Sequence, residues 1–254
     1  HFALRTSHFA LRTSHFALLT MSAEAKRIAG EAAAALVEDG MQVGLGTGST
    51  TAFAIAELGR RVRQDGLRIV GTPTSFAAER LARQHGVPLA TLDDLDGPNG
   101  LALDIALDGA DEVDPSLALI KGRGAAHTRE KVVAALAERF VVLIDPSKEV
   151  ERLGTKMPVP IEVVPMAVAP VTQALERLGA TVRLRAGQQK DGPIVTDQGL
   201  WVLDATFAYG IADSAALDRA LLDMPGVLDH GLFLGLATDV LIGHASGEVE
   251  HRTR

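Results

Sequence analysis

The strongest constraint on the fold is a recurrence along the chain: short, almost continuously apolar runs, each closed by a glycine or polar cluster, with helical segments between them. The runs fall at 41–45, 68–71, 87–91, 101–107 and 140–144. Residues 22–39, about 49–63, 75–85 and 128–139 read as helices, the first with Ile28, Ala32, Ala35 and Leu36 on one face and stopped at Gly40. A strand that is apolar on both faces has to be covered on both faces. Strands alternating with helices therefore predict an α/β domain around a mostly parallel sheet. Pro88 has no N–H to give to a ladder, which puts the 87–91 run at a sheet edge.

Past Lys148 the texture changes. Pro158, Pro160, Pro165 and Pro170 punctuate a segment that goes on as helix (171–178), strand (181–184), strand (200–207) and helix (214–223). This is the pattern of a small α+β unit, placed at 153–228. The apolar stretch 232–242 then returns to the main sheet, so 21–152 and 229–254 together make the larger domain. At the N-terminus, HFALRTS occurs at 1–7, again at 8–14, and starts a third time at His15. Two and a half heptads are too few for a coiled coil, and no long apolar run marks a signal peptide. Residues 1–20 are read as an extension outside the native fold, which begins at Met21.

Composition narrows the chemistry. A formal net charge of −7 argues against binding nucleic acid or a membrane surface, both of which need a basic face. An anionic small molecule would have to be held by local donors. With no cysteine, disulfides, thiolate metal sites and a cysteine nucleophile are excluded, and a reducing cytoplasm fits.

Ligands of an open parallel sheet bind beyond the carboxyl ends of its strands. Four polar clusters occupy such positions: Thr47–Thr50, Thr72–Ser75, Asp108–Glu112 and Asp145–Lys148. In the first, glycines let backbone approach a ligand and Ser49 and Thr50 stand at a helix start, an arrangement suited to a monophosphate. The spacing of Gly44, Gly46 and Gly48 is not the dinucleotide fingerprint, and no Gly-Lys-Ser/Thr follows. A tight turn with Ser49 as cap fits the same residues. Asp108 and Asp111 could share a pocket, although alone they read as a solvated loop. The next segment tips the balance: Lys121, Gly122, Arg123 and Gly124 precede a helix carrying Glu130, bringing a cation, backbone donors and a carboxylate within one substrate-sized space. Moving a hydrogen between two sugar carbons needs such a base and such donors. Taken alone, Glu130 would be an exposed first-turn acid paired with Arg129 or Lys131.

In this order the motifs Gly46-Thr-Gly-Ser-Thr50, Asp108-Gly-Ala-Asp-Glu112, Lys121-Gly-Arg-Gly124, Thr128-Arg-Glu-Lys131, Asp145-Pro-Ser-Lys148 and Pro160-Ile-Glu-Val-Val-Pro165 resemble the type A ribose-5-phosphate isomerases, from about Ala23 to the C-terminal region. The resemblance implies a Rossmann-like main domain with a small inserted α+β, ferredoxin-like domain, no metal or cofactor, and a homodimer or homotetramer. It implies interconversion of ribose 5-phosphate and ribulose 5-phosphate in the pentose phosphate pathway. Carried over by position, Glu130 moves the proton between C1 and C2. Asp108 assists ring opening, Asp111 positions hydroxyls and Lys121 steadies the oxyanion. Thr47, Gly48, Ser49 and Thr50 hold the phosphate with Lys26 and Lys148, while Gly109, Ala110, Gly122, Arg123 and Gly124 line the substrate. Two residues depart from the family pattern: Arg123 stands at a usual glycine, and His127, read as a helix-start residue with its ring outward, at a usual apolar position. Two other readings remain open here, a non-catalytic sugar-phosphate sensor and another sugar-phosphate enzyme such as a deaminase or lactonase.

Overall fold

The computed structural model describes residues 21–95 and 103–254. The heptad repeat and the first two residues of the fourth expected strand, Leu101 and Ala102, lie outside the described residues. In chain order the elements begin with α1 (residues 21–35), β1 (Gln42–Leu45), α2 (Thr51–Gln64), β2 (Val70–Pro73), α3 (Phe76–His85), β3 (Leu103–Gly109), β4 (Glu112–Val113), β5 (Leu119–Ile120), α4 (His127–Ala135) and β6 (Ala137–Ile144). They continue with β7 (Val159–Val163), α5 (Val168–Arg177), β8 (Thr181–Leu184), β9 (Trp201–Thr206), α6 (Ser214–Leu222), β10 (Val227–His230), β11 (Leu232–Phe233), β12 (Asp239–Gly243) and β13 (Val249–Thr253).

The main sheet runs β2-β1-β3-β6-β12-β13, parallel except for the antiparallel edge strand β13. The chain winds from β1 out to β2 on one side and through β3, β6 and β12 on the other, so its direction reverses between β1 and β3. At such a switch the two following loops diverge and leave a crevice at the strands' carboxyl ends. Helix side chains cover one face, Ala29, Ala33, Ile55 and Leu58 packing on Val43 and Leu45. Phe140, Val133, Phe233 and Ile242 fill the other.

The second unit has the order β10-β7-β9-β8, all antiparallel, with the chain sequence βαββαβ. That is the ferredoxin-like arrangement. Its own core joins Val159, Ile161, Leu175, Leu203 and Leu221. A third sheet, β11-β5-β4, is two residues wide at each strand and holds Lys121 at the end of β5.

Several expected boundaries move. Residues 87–91 form a single bridge, Gly71 to Leu89, because Pro88 interrupts donation on so short a segment. The helix expected over 128–139 stops at Ala135, and β6 starts at Ala137, where pairing with Leu103 and Ile105 and an ion pair of Arg139 with Asp239 at 2.7 Å override helical propensity. The second strand lies at Val70–Pro73 rather than 68–71, in register with β1. The prolines around 160 do not only punctuate. Pro160 lies within the interior strand β7: its carbonyl takes the Gly231 N–H at 2.7 Å, so its donor-less nitrogen faces the same edge, one residue past the last β10 pair, Ile161 with His230.

Candidate active site

Asp108 is the joint between the two strand ends at the switch. Its Oδ1 accepts the N–H of Gly109 at 2.7 Å and of Thr47 at 3.0 Å, tying the loop after β3 to the loop after β1. The contact requires Gly46, since a Cβ there would sit 2.2 Å from the Asp108 carboxyl. The other oxygen, Oδ2, lies 3.0 Å from Lys121 Nζ, which is also 3.2 Å from Glu130 Oε2 and bonded to the Gly109 carbonyl. All three charged residues are at most 4% exposed. Lys121 Nζ also stands 5.5 Å over the Phe233 ring, an apolar wall that strengthens every charge interaction beside it. Asp108 Oδ2 and Glu130 Oε2 lack an aligned hydrogen bond; Glu130 lines the pocket above, whereas Asp108, expected to touch substrate, lies beneath the lining against Lys121.

Burial pushes the Glu130 carboxyl up to about 8; Asp108 adds to the rise and Lys121 opposes it. Asp108 is also raised by burial, against the pull of Lys121 and the two amide donors. Burial works to lower Lys121, but Asp108 and Glu130 outweigh it and hold the ammonium above its ordinary value. Two buried acids beside one cation, both raised, therefore hold protons more tightly than exposed carboxyls do, and of the two Glu130 is the one that lines the pocket. The exposed first-turn acid expected from isolated sequence is not what forms. Lys131 turns away to Asp229, at 2.5 Å, and leaves Glu130 to Lys121.

The pocket above this cluster has a volume of about 340 Å³. Its floor is Gly109, Ala110, Asp111, Lys121 and Glu130, with Gly122, Arg123 and Gly124 along one wall. Asp111 Oδ2 takes the Arg123 N–H at 2.9 Å, which sets the glycine loop against the floor. Thr47, Gly48, Ser49 and Thr50 also line it, with Thr47 beside Gly124, and are joined by Lys26 from α1 and Lys148 from the turn after β6. Thr50 occupies the N-cap position of α2 without a side-chain capping bond, so the Ser49 cap considered from sequence is not formed. The helix start and two lysines make an anion-binding set. Thr47 Oγ1 instead meets Thr74 Oγ1 at 2.8 Å and Ser75 Oγ at 2.7 Å, which fixes this loop to the one after β2. Asp145 accepts from Ser147 N at 2.9 Å and shapes the turn that carries Lys148. Another cavity, of about 400 Å³ between β2 and α4, has Arg83 in its wall paired with Glu79, and the buried acids do not line it.

His127 corrects the sequence reading. Its ring is fully buried, not outward, and packs under Gly122, where a Cβ would come within 2.7 Å of Nδ1. Neither ring nitrogen has a hydrogen bond; the Asp229 backbone lies near without meeting the geometry. Thr51 lines the pocket with a buried, unpartnered hydroxyl and was missed, although it directly continues the Ser49-Thr50 run. Among the described residues no group of three or more His, Asp or Glu is arranged to hold a metal.

A family profile described as ribose 5-phosphate isomerase A (phosphoriboisomerase A) matches residues 70–247. The ribose-5-phosphate isomerase A of Thermosynechococcus vestitus is 56% identical over 221 residues, spanning 87% of this chain and 91% of that one. The chain belongs to the ribose 5-phosphate isomerase A family. The ribose-5-phosphate isomerase A of Methanothermobacter thermautotrophicus is 49% identical over 222 residues, with 87% of this chain and 95% of that one covered. The solved structure of ribose 5-phosphate isomerase A from Methanocaldococcus jannaschii superposes with a TM-score of 0.84 at 43% identity, covering 91% of this chain and 98% of that one. A D-ribose-5-phosphate isomerase solved in complex with phospho-erythronic acid gives 0.86 at 45% identity, with the same coverage. The Rossmann-like sheet and the ferredoxin-like unit are thus the fold of the family.

Proposed function

We propose that this chain interconverts D-ribose 5-phosphate and D-ribulose 5-phosphate through an enediolate. The observation that carries this reading is Lys121 Nζ at 3.0 Å from Asp108 and 3.2 Å from Glu130, at the floor of a pocket also lined by a helix start and by Lys26 and Lys148, groups suited to an anion. Glu130, ionised, takes the proton from C2 of the open-chain aldose. The C2–H electron pair becomes the C1–C2 double bond and the carbonyl electrons go to O1. Glu130 then returns the proton to C1 while the hydroxyl proton at O2 passes to O1, the O2–H electron pair forming the C2 carbonyl and giving the ketose. Lys121 stabilises the oxygen that bears the developing charge. Asp108 moves the proton that opens the furanose ring, and Asp111 orients hydroxyls. Ser49, Thr50, Lys26 and Lys148 hold the phosphate, and Thr47, with Gly48, shapes that site. A relative was solved with phospho-erythronic acid, which supports a small phosphorylated sugar derivative as the ligand class.

In the same reading, 153–228 is the small domain and 21–152 with 229–254 the catalytic one. The confinement of the antiparallel sheet to Val159–His230 supports the division. The assembly is a homodimer or homotetramer. The acid–base steps use side chains of this chain and call on no cofactor. Glu130→Gln keeps shape and removes the base, so ribulose 5-phosphate formation should fall by about a hundredfold or more. A fully active variant would overturn the role of Glu130. Turnover of an amino-sugar phosphate in place of ribose 5-phosphate, or binding without turnover in the unaltered protein, would overturn the reaction itself.

A further inference from the structure

Resting on the isomerase reading of this pocket, we propose that Arg185, from the small unit, is a positioning residue that sets the backbone polarity of the 121–124 catalytic loop. Arg185 follows β8 and is itself pinned, its N–H given to Val202 O at 2.9 Å and its carbonyl taking Ile194 N–H at 3.0 Å. One edge of its guanidinium grips the Asp204 carboxylate on β9, with Nε to Oδ2 at 2.8 Å and Nη2 to Oδ1. The remaining nitrogen, Nη1, donates to the carbonyls of Gly122 at 2.8 Å and Arg123 at 3.1 Å. A planar fork held by a carboxylate on one side is a rigid donor on the other.

The consequence follows from the geometry of a trans peptide, whose C=O and N–H point in opposite directions. In the Gly122–Arg123 peptide the carbonyl meets Arg185 and the N–H meets Asp111 Oδ2 at 2.9 Å, on the pocket floor. In the Arg123–Gly124 peptide the carbonyl again meets Arg185, so the Gly124 N–H is directed toward the pocket that Gly124 lines. With Arg185 absent, the Gly122–Arg123 peptide keeps the Ala125 N–H on its carbonyl at 3.0 Å and Asp111 on its N–H, but the Arg123 carbonyl loses Arg185 and the Arg123–Gly124 peptide can turn; a carbonyl facing the pocket would repel the enediolate that an N–H stabilises. The loop has one internal bond, Ala125 N–H to the Gly122 carbonyl at 3.0 Å, and carries strain at Ala125, a residue with a side chain held at φ 59° in the left-handed region. The same loop begins with Lys121, so its orientation also sets where the ammonium meets Asp108 and Glu130.

Arg185 touches no reacting atom in this account, and its signature is in turnover rather than in phosphate capture. Arg185→Ala is expected to lower kcat by about tenfold to a hundredfold, the cost of a misplaced catalytic group. KM for ribose 5-phosphate and the affinity for inorganic phosphate should change little, because the Arg185 side chain bonds Asp204, Gly122 and Arg123 and none of Ser49, Thr50, Lys26 or Lys148. Guanidinium chloride at low millimolar concentration should restore part of kcat, and potassium chloride at equal ionic strength should not. Wild-type kcat in the folded variant overturns the proposal. So does a loss that guanidinium leaves unchanged, or a KM that rises in step with the fall in kcat. If the alanine variant does not fold, Arg185→Lys decides, since a single ammonium cannot serve Asp204 and both carbonyls together: a reduced kcat supports the proposal and wild-type kcat overturns it. Absence of isomerase activity in the unaltered protein would instead refute the reading on which the proposal rests.

Discussion

Replacing Lys121 by Met removes a buried charge while keeping most of its volume, and the size of the effect can be worked from the two contacts. At an effective dielectric of about 20, unit charges 3.2 Å apart, the separation of Lys121 and Glu130, interact by about 5 kcal/mol, or about four pKa units. Relaxation and water reaching the emptied corner would absorb part of this. If half survives, the Glu130 carboxyl moves from about 8 to about 10. At pH 8 its ionised fraction then falls from about one half to about one hundredth, a loss of about fiftyfold in kcat/KM before any chemistry is considered. Removing the group that faces the developing oxyanion costs about another hundredfold.

The diagnostic is the shape of the pH profile rather than the size of the loss. In the unaltered protein, kcat/KM should rise with pH as Glu130 ionises, with a midpoint near 8, because an acid must lose its proton to act as the base. In Lys121→Met the same limb should shift upward by about two units. Initial rates with ribose 5-phosphate from pH 6 to 10.5 at fixed ionic strength, on protein shown to be folded by circular dichroism, read both quantities. A profile that loses amplitude but keeps its midpoint near 8 would show that Lys121 does not govern the ionisation of Glu130, and the three-group account would fail.

Two stability predictions accompany this. His127 is neutral in the folded protein, its pKa lowered to about 3 by burial and then by nearby Lys131, while an unfolded chain protonates near 6.5. Its contribution is therefore intact above about 6.5 and lost as the pH falls toward 3. His127→Leu removes two unpartnered buried nitrogens, so thermal unfolding at pH 7 should show a gain of about 1–3 kcal/mol that widens below pH 6.5; a loss would mean the ring is satisfied. Glu130 has the opposite sign: its carboxyl holds a proton more tightly when folded, so the stability it confers is full below about 4.5 and lost as pH rises through about 8. Glu130→Gln should accordingly melt higher than the unaltered protein at pH 9 and lose that advantage by pH 5, and a pH-independent difference would refute the buried-proton assignment.

How much of this was legible beforehand depends on how far along the chain each relationship reaches. The strand-end clusters were visible because apolar run and ligand loop are adjacent in sequence; Thr47–Thr50 and Asp108–Asp111 need only the rule that parallel strands present their carboxyl ends. The strands β4, β5 and β11 are two residues each, too short for any periodicity to register. Interior strand β7 was hidden by Pro160, whose missing donor is harmless only because β10 has already ended beside it. Glu130 and His127 were the hardest. Their helix carries no clean apolar stripe because it is buried on more than one side, with the main sheet against Val133 and the ferredoxin-like unit against Thr128, which hydrogen-bonds buried Glu162 on β7. A residue on such a helix can face inward from a position that helical periodicity assigns to solvent.

The same observation explains why the family resemblance, and not local pattern, had to supply the chemistry. Each group at the pocket floor is held by a partner far away in sequence. Lys121 N gives its proton to Gly231 O at 2.9 Å, Lys131 is drawn off Glu130 by Asp229, and Phe233 covers the ammonium. Asp229 lies on β10, the last strand of the small unit, and Gly231 and Phe233 lie just after it, where the chain comes back toward the main sheet. Inserting that unit between β6 and β12 therefore does more than add a second core. It brings 229–233 back across the lysine from one side and Arg185 onto the loop carbonyls from the other. The polar residues of the pocket are local in sequence, but part of the burial that shifts their protonation equilibria comes from Phe233, which reaches Lys121 only after the insertion. That is why their identities could be read along the chain and their pKa values could not.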